Sequence, residues 1–202
     1  MSGDKVEESG TKTMTFDVIV AMSDNRGIAN KLKLPWPPIK KDFEYYFERV
    51  QRKSTNGKMC VNIRGKQTWE CTSEVEKYGV YTIVVSKSMK GSGLPLDPQI
   101  QQVCASVQEA INYCSSPPFC DEIGPVWVLG GAQVYQEAIN HPQCRYIFVT
   151  RIYKTFEADT FFPKFEEQYE EISLDDVDES MQEENGLIFQ FKVYKKKSVA
   201  NL

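Results

Sequence analysis

Residues 126–138 read VWVLGGAQVYQEA, and this stretch decides the fold class. Residues 126–129 are apolar, as in a buried strand, and they run directly into Gly130 and Gly131. Apolar residues then recur at helical spacing, which predicts a helix over residues 132–139. A strand that passes through two glycines into a helix is typical of an α/β domain.

The same alternation of strands and helices extends in both directions along the chain. Strands are predicted at residues 16–22, 59–63, 81–86 and 145–152. Helices are predicted at residues 39–52, at residues 65–71 and after Ser106, which has capping-box spacing to Glu109. Residues 187–194 alternate and predict an antiparallel final strand. We therefore predict one α/β domain over residues 14–197, with a mostly parallel central sheet flanked by helices.

Three segments carry no strong pattern. We expect residues 1–13 to be a disordered leader and residues 198–202 to be a frayed tail, because both are polar. Residues 164–186 are acidic and irregular, so we interpret them as a surface connection and not as a second domain.

The composition excludes several function classes. The 202 residues are 41% hydrophobic and 26% charged, and the net charge of -4 gives no reason to expect nucleic acid as a partner. The longest apolar runs are too short to span a bilayer, and the N-terminus has no apolar signal segment. Six cysteines without a C-x-x-C pair predict reduced thiols, and His141, the only histidine, is expected in a turn. We therefore expect a cytoplasmic monomer without a metal.

Common nucleotide-binding and hydrolase motifs are absent, but six other segments together are distinctive. They are VIVAMSDNRGI, LPWPPIKKDFEYY, RGKQTW, VVSKS, VWVLGGAQVYQEA and IFVTRIYKTFEADTFFP. The chain resembles the dihydrofolate reductases in these segments and over about residues 16–196. The resemblance implies NADPH-dependent reduction of 7,8-dihydrofolate to 5,6,7,8-tetrahydrofolate by hydride transfer to the pterin ring.

The resemblance also implies a catalytic group of Asp42, Trp36 and Thr150. By its position alone, Asp42 would be a first-turn aspartate that favours the helix dipole. In the family, the matching carboxylate binds the 2-amino group and a ring nitrogen of the pterin, and the hydroxyl that matches Thr150 pairs with it. Burial among aromatic residues should raise the pKa of Asp42. The implied substrate-binding residues are Val20, Ala21, Leu34, Phe43, Tyr46, Leu129 and Tyr135.

The implied NADPH site is assembled from helix N-termini and polar side chains. Its residues are Ala21, Ile28, Gly65, Lys66, Gln67, Thr68, Ser86, Lys87, Ser106, Gly130, Gly131, Ala132, Gln133, Val134 and Tyr135. Lys66, Ser86, Lys87 and Ser106 match positions around the 2′-phosphate, which distinguishes NADPH from NADH.

The sequence departs from the family pattern at the end of the substrate site. Val80 stands where the family has an arginine that binds the folate α-carboxylate, and valine cannot make that contact. Tyr46 and Thr72 replace apolar residues nearby. Arg64 also replaces an apolar residue; it or Lys77 could supply the lost charge, but we expect Arg64 to be a solvated surface residue.

Three hypotheses therefore stay open. The first is a dihydrofolate reductase with weakened recognition of the glutamate tail. The second is a reductase of an unconjugated dihydropterin or a similar small ring. The third is a non-catalytic pterin-binding or NADPH-binding protein, in which the changed loop residues Ala29, Leu32 and Lys33 have abolished turnover.

Overall fold

A computed structural model describes residues 14–51, 57–92 and 96–198. The strands of the described chain are β1 (Phe16–Ser23), β2 (Gly27–Ala29), β3 (Met59–Gly65), β4 (Tyr81–Val85), β5 (Gln102–Cys104), β6 (Ile123–Val128), β7 (Cys144–Ile152), β8 (Thr160–Phe161), β9 (Tyr169–Ile172), β10 (Gln182–Glu184) and β11 (Leu187–Lys196). The helices are α1 (Lys40–Val50), α2 (Lys66–Cys71), α3 (Glu74–Lys77), α4 (Lys87–Gly91), α5 (Val107–Ser115), α6 (Phe119–Glu122) and α7 (Ala132–Asn140).

The central sheet is mostly parallel, as predicted. Its order is β10-β11-β7-β1-β6-β3-β4-β5, and β9 also pairs with β11. The strands from β7 to β5 are parallel, whereas β11 is antiparallel to β7. The inner strands have near-continuous apolar runs because helices cover both faces of the sheet.

The two largest hydrophobic clusters of the described residues lie on opposite faces of the sheet. On one face, α5 and α7 bury Ala110, Ile111 and Ile139 against β1, β3 and β6. On the other face, α1 buries Tyr45 together with Trp36, and both pack in one cluster with residues of β11. This second core fixes α1 beside β1 and β7, where it borders the site described below.

Residues 164–186 form no second domain, as predicted, but they are not wholly irregular, because β9 and β10 lie within this segment. The acidic residues of β9 face cations of β11: Lys192 Nζ lies 2.6 Å from Glu171 Oε1, and Glu170 is in register with Lys195. Because of its acidic composition, the segment lacks the hydrophobic alternation from which two short strands could have been predicted. The sequence also missed the three-residue strand β5, which is too short to show a period.

Helix boundaries differ from prediction by a few residues. Gly65 ends β3 and caps α2 instead of opening the helix, and α1 ends at Val50. Ser106 caps α5 by accepting from Glu109 N at 3.1 Å, but the Glu109 carboxylate accepts from Ala105 N, so the predicted capping box is only half formed. The predicted leader and all but the first residue of the predicted tail lie outside the described residues.

In the described part of the chain, no helix is both long and apolar enough to cross a membrane. The same residues contain no group of three histidine, cysteine or acidic side chains that could hold a metal ion. The carboxyl ends of β1, β3, β4 and β6 meet at one edge of the sheet, which is the usual place for a ligand site in an α/β sheet.

Candidate active site

An open cleft of about 1500 Å³ runs along this edge. A single-ligand pocket is typically about 300–1000 Å³, so the cleft has room for two molecules. Every residue that the sequence analysis assigned to a site lies in the cleft wall, except Ser106 and Gly130. Ser106 uses its hydroxyl to cap α5, and its neighbour Ala105 lines the cleft instead.

Asp42 lies in the first turn of α1, and a glutamate from a strand of the sheet fixes this turn. The N-cap residue, Ile39, has no side chain that can cap the helix. Glu184 of β10 takes this role, accepting from Lys40 N at 2.6 Å and from Lys41 N at 3.1 Å. Because helix N-termini favour negative charge, Glu184 holds the start of α1 against the sheet.

The carboxyl group of Asp42 titrates well above its ordinary range. Burial raises the pKa of Asp42 to about 6, and the negative charge of Glu184 adds to the rise. Hydrogen bonding with Thr150 opposes it. Thr150 is 2% exposed and lies in β7, between Ala21 of β1 and Phe191 of β11. The sheet therefore brings Thr150 to Asp42, and the rise in pKa agrees with the sequence prediction.

Glu184→Gln should lower the pKa of Asp42, because the substitution removes a negative charge and keeps one acceptor for the helix N-terminus. We expect the limb of the kcat/KM profile that Asp42 governs to move to lower pH, by up to about one unit. Steady-state kinetics between pH 4 and 9 would measure this shift. Glu183→Gln, an exposed neighbour on the same strand, is the matched control. An unchanged profile for Glu184→Gln would contradict the electrostatic coupling.

Trp36 and Tyr135 line the same cleft as Asp42. Trp36 is 4% exposed, and its Nε1 has no partner among the described protein atoms although it is buried. Tyr135 donates its hydroxyl to Ile19 O at 2.8 Å, which ties α7 to β1. By contrast, Leu34 and Phe43 present partly exposed apolar side chains to the cleft.

The loop that follows β2 contains a tight hairpin. Asn30 and Lys33 exchange both backbone hydrogen bonds, at 2.9 and 3.1 Å. Lys31 and Leu32 between them both have positive φ, as in a type I′ turn, which usually contains glycine or asparagine. Asp159 accepts from Lys31 N at 2.7 Å and so supports this unfavourable turn.

At the other end of the cleft, backbone groups approach each other closely. Gly65 N donates to Gly130 O at 2.6 Å. A Cβ on Gly65 would lie 3.2 Å from Val134 Cγ2, and one on Gly131 would lie 3.2 Å from Thr68 Oγ1. Gly131 is the N-cap residue of α7, and no cap side chain occupies the N–H groups of the first turn. This glycine-lined cradle at a helix N-terminus fits a phosphate group.

Polar side chains border the same end. Lys66 and Lys87 line the cleft, although Lys66 Nζ also lies 3.7 Å from Glu70 Oε1. Ser86 caps α4 by accepting from Met89 N at 3.2 Å. The Gly130–Gly131 peptide bond is cis.

Comparison with known proteins agrees with this arrangement. A family model described as "Dihydrofolate reductase" matches residues 15–196. The chain belongs to the dihydrofolate reductase family. It is 36% identical over 186 residues to the dihydrofolate reductase of Sus scrofa, covering 90% of this chain and 97% of the relative. It is 33% identical over 184 residues to that of Aedes albopictus, with the same coverages.

The solved dihydrofolate reductase of Schistosoma mansoni has the same fold. It superimposes with a TM-score of 0.76 at 31% identity, covering 92% of this chain and all of that chain. The family comprises NADPH-dependent oxidoreductases that reduce dihydrofolate to tetrahydrofolate. The predicted family, fold class and enzyme class are therefore confirmed.

The prediction for Arg64 was wrong. We expected a solvated surface residue, but Arg64 is 1% exposed and lies at the cleft wall. The reason is its place near the end of β3, between the parallel strands β4 and β6, where both faces of the sheet are covered. A signal was available, because Tyr46 and Thr72 are also polar replacements and both lie at this part of the cleft. The role of Glu184 had no such signal.

Proposed function

We propose that this chain is a catalytically active, monomeric, cytoplasmic dihydrofolate reductase that uses NADPH. The observation that carries the proposal is the Asp42–Thr150 pair at the wall of a cleft whose far end fits phosphate groups. When bound, NADPH supplies a hydride. The residues of the chain bind, orient and polarise the substrate.

Asp42 has the central role at the substrate end. Its carboxylate accepts hydrogen bonds from the 2-amino group and a ring nitrogen of the pterin, and Thr150 fixes its orientation. With a pKa of about 6, Asp42 can exchange a proton close to neutral pH. The unpartnered Nε1–H of Trp36 is available to hold a water molecule beside the ring, from which the substrate can be protonated.

The chain's contribution at the cofactor end is mostly backbone. The free N–H groups after Gly131 and the hydroxyl of Thr68 are placed for the diphosphate of NADPH. Lys66 and Lys87, with Ser86, are placed for its 2′-phosphate. Ala21 and Ile28 line the cleft and would lie where the two ligands meet.

NADPH should bind more tightly than NADH, because a 2′-phosphate gains charge-assisted hydrogen bonds from lysine. We expect at least about a tenfold difference in Kd. Gln67 and Ala105 add no charge there, and this limits the preference. Fluorescence titration with both cofactors measures it. Lys87→Met should reduce the ratio, whereas Lys90→Met on the same helix, where Lys90 pairs with Glu109, should not. Equal affinities in the wild type would refute the phosphate-site assignment.

The environment of Val80 favours weakened tail recognition. Val80 is 5% exposed and does not line the cleft, so this position offers no group to a folate carboxylate. The same observation supports a second candidate function, the reduction of an unconjugated dihydropterin. A protein that only bound the cofactor would have no need for the Asp42–Thr150 pair.

Steady-state oxidation of NADPH distinguishes these functions. Turnover of dihydrofolate with an ordinary kcat and a raised KM would support the first candidate. A much higher kcat/KM for dihydrobiopterin would favour the second. Absence of turnover with both substrates, in a protein that binds NADPH, would contradict the proposal that this chain is an active reductase.

A further inference from the structure

Arg64 is a buried cation with unused hydrogen-bond donors at the cleft wall. Its Nη1 donates to Thr72 Oγ1 at 2.7 Å. Its Nε and Nη2 are buried and have no partner among the residues that the structure describes. Such donors are rarely left unsatisfied in native proteins, because the loss of water is costly. Two N–H groups of Arg64 are therefore available for a ligand.

The two free donors share one edge of the guanidinium group, and this edge matches a carboxylate. The protein itself contains the same interaction elsewhere. Arg145 donates from Nε to Asp17 Oδ1 at 3.1 Å and from Nη2 to Asp17 Oδ2 at 2.6 Å. Such two-point pairing is strong and specific for planar anions.

No described acidic side chain makes an ion pair with Arg64. Glu76 also lines the cleft, but its Oε2 accepts from Ser73 N at 3.1 Å and from the Ser73 hydroxyl. Glu76 thereby completes the capping box of α3. The charge of Arg64 thus remains without a carboxylate partner in the described protein.

Tyr46 links Arg64 to the substrate end. Burial raises the pKa of its phenol to about 12, and side-chain hydrogen bonding and the charges of Arg64 and Glu76 also act on this pKa, so the phenol lies between these two residues and is the group that a ligand at Arg64 would displace. Tyr46 follows Asp42 by one helical turn on α1, and both residues line the cleft. An anion at Arg64 would therefore lie on the same side of the cleft as the pterin held by Asp42.

The other cations are placed differently. Lys77 pairs with Glu74 at 2.9 Å and packs on the Trp69 ring at 4.4 Å, and it does not line the cleft. Lys66 and Lys87 lie at the phosphate end. Lys33 belongs to the exposed hairpin of the loop.

We propose that Arg64 recognises a carboxylate on the substituent of the substrate's pterin ring, and that Thr72 positions its guanidinium group. The proposal rests on the proposed function, because a pterin must occupy the site beside Asp42. Thr72 can hold Arg64 in place because its hydroxyl also donates to Thr68 O at 2.6 Å. The Tyr46 side chain must rotate to admit the carboxylate, since Nε and Nη2 of Arg64 have almost no contact with solvent.

The test compares a ligand that has an anionic benzoylglutamate tail with one that lacks the whole tail. Methotrexate carries a benzoylglutamate tail, and 2,4-diamino-6-methylpteridine has the same type of ring without it. Arg64→Met keeps an unbranched apolar stem and removes the guanidinium group with its charge. We expect the Kd of methotrexate, measured by fluorescence quenching with saturating NADPH, to rise at least about tenfold. The Kd of the tail-less pteridine should stay at the wild-type value.

Matched variants make the result specific. Lys77→Met removes a neighbouring cation outside the cleft and should change neither Kd. Thr72→Val removes the acceptor of Arg64 Nη1 and should weaken methotrexate selectively, by less than Arg64→Met does. Equal weakening of both ligands would show that Arg64 is only structural, and no change in either would overturn the proposal. If Arg64→Met does not fold, the same two outcomes for Thr72→Val decide.

A comparison of two substrates shows which carboxylate Arg64 binds. Dihydropteroate carries its carboxylate on the benzoyl ring, whereas dihydrofolate carries its carboxylates on glutamate. A selective rise in KM in Arg64→Met identifies which of these carboxylates Arg64 binds. Binding of methotrexate does not require turnover, so the failure of the proposed function is distinguishable from failure of this proposal.

Discussion

Asp42→Asn should reduce kcat with dihydrofolate by at least about 100-fold at pH 7, the lower range for loss of a positioned acid–base group. The Asn side chain keeps a similar shape but cannot carry the charge that holds and polarises the pterin. The effect should appear in kcat and in substrate binding, whereas the Kd of NADPH should stay nearly unchanged. Stopped-flow hydride transfer and cofactor titration would separate the two.

The pH dependence provides a second measurement of the same variant. Acidifying the assay should partly restore the rate of Asp42→Asn, because protonated substrate becomes more abundant. Asp24→Asn, which changes an exposed aspartate paired with Arg151, should have the wild-type rate and profile. A wild-type rate for Asp42→Asn at neutral pH would mean that the acid lies elsewhere.

Asp42→Asn should also make the protein more stable at neutral pH. The pKa of Asp42 rises from 3.8 to about 6 on folding, so the folded state binds more protons between these values. Protonation of Asp42 therefore stabilises the folded state at low pH, and this stabilisation is lost as the pH rises through 6. At pH 7 the charged, buried Asp42 destabilises the fold. Removal of the charge should gain on the order of 1–3 kcal/mol at pH 7 and much less at pH 4. Urea unfolding at both pH values would measure the gain.

The sequence predicted the helices and strands whose hydrophobic pattern extends over many residues or whose ends are marked by glycine or proline. Residues 126–138 have a strand, two glycines and a helix in immediate succession, and the structure follows that pattern closely. The strand β9 could not be predicted in this way. Its acidic residues are stabilised by lysines of β11, and those partners become adjacent only when the sheet has formed.

The candidate site was predictable for a different reason. Asp42 and Thr150 are far apart in the chain, and only the resemblance to a family indicated that they meet. The burial of Arg64 could not be predicted from its own residue type, because charged residues are mostly exposed. It follows from the position of Arg64 in a parallel strand that has neighbours on both sides. The polar neighbours Tyr46 and Thr72 were the available clue.

Gly130→Ala should be strongly destabilising, because the site of this residue excludes a side chain in two ways. Gly130 has a φ of 106°, which L residues rarely adopt, and this costs about 1–3 kcal/mol. An added Cβ would lie 2.9 Å from Tyr135 Cε2, and overpacking typically costs about 1–3 kcal/mol more. Tyr135 cannot easily move, since its hydroxyl is bound to Ile19 O and its ring packs on Phe162.

The same substitution should weaken NADPH binding. Gly130 O accepts from Gly65 N, so a shift of Gly130 separates the start of α7 from the end of β3, and both border the phosphate cradle. Gly186→Ala is the matched control, because Gly186 also has a positive φ, of 72°, but no atom lies within 4 Å of the added Cβ. We expect the control to lose only about 1 kcal/mol and to bind NADPH normally. Urea unfolding and cofactor titration of both variants test these two expectations. Equal losses of stability in the two variants would show that contact with Tyr135 contributes nothing. Unchanged NADPH affinity in Gly130→Ala would show that this glycine does not support the cofactor site.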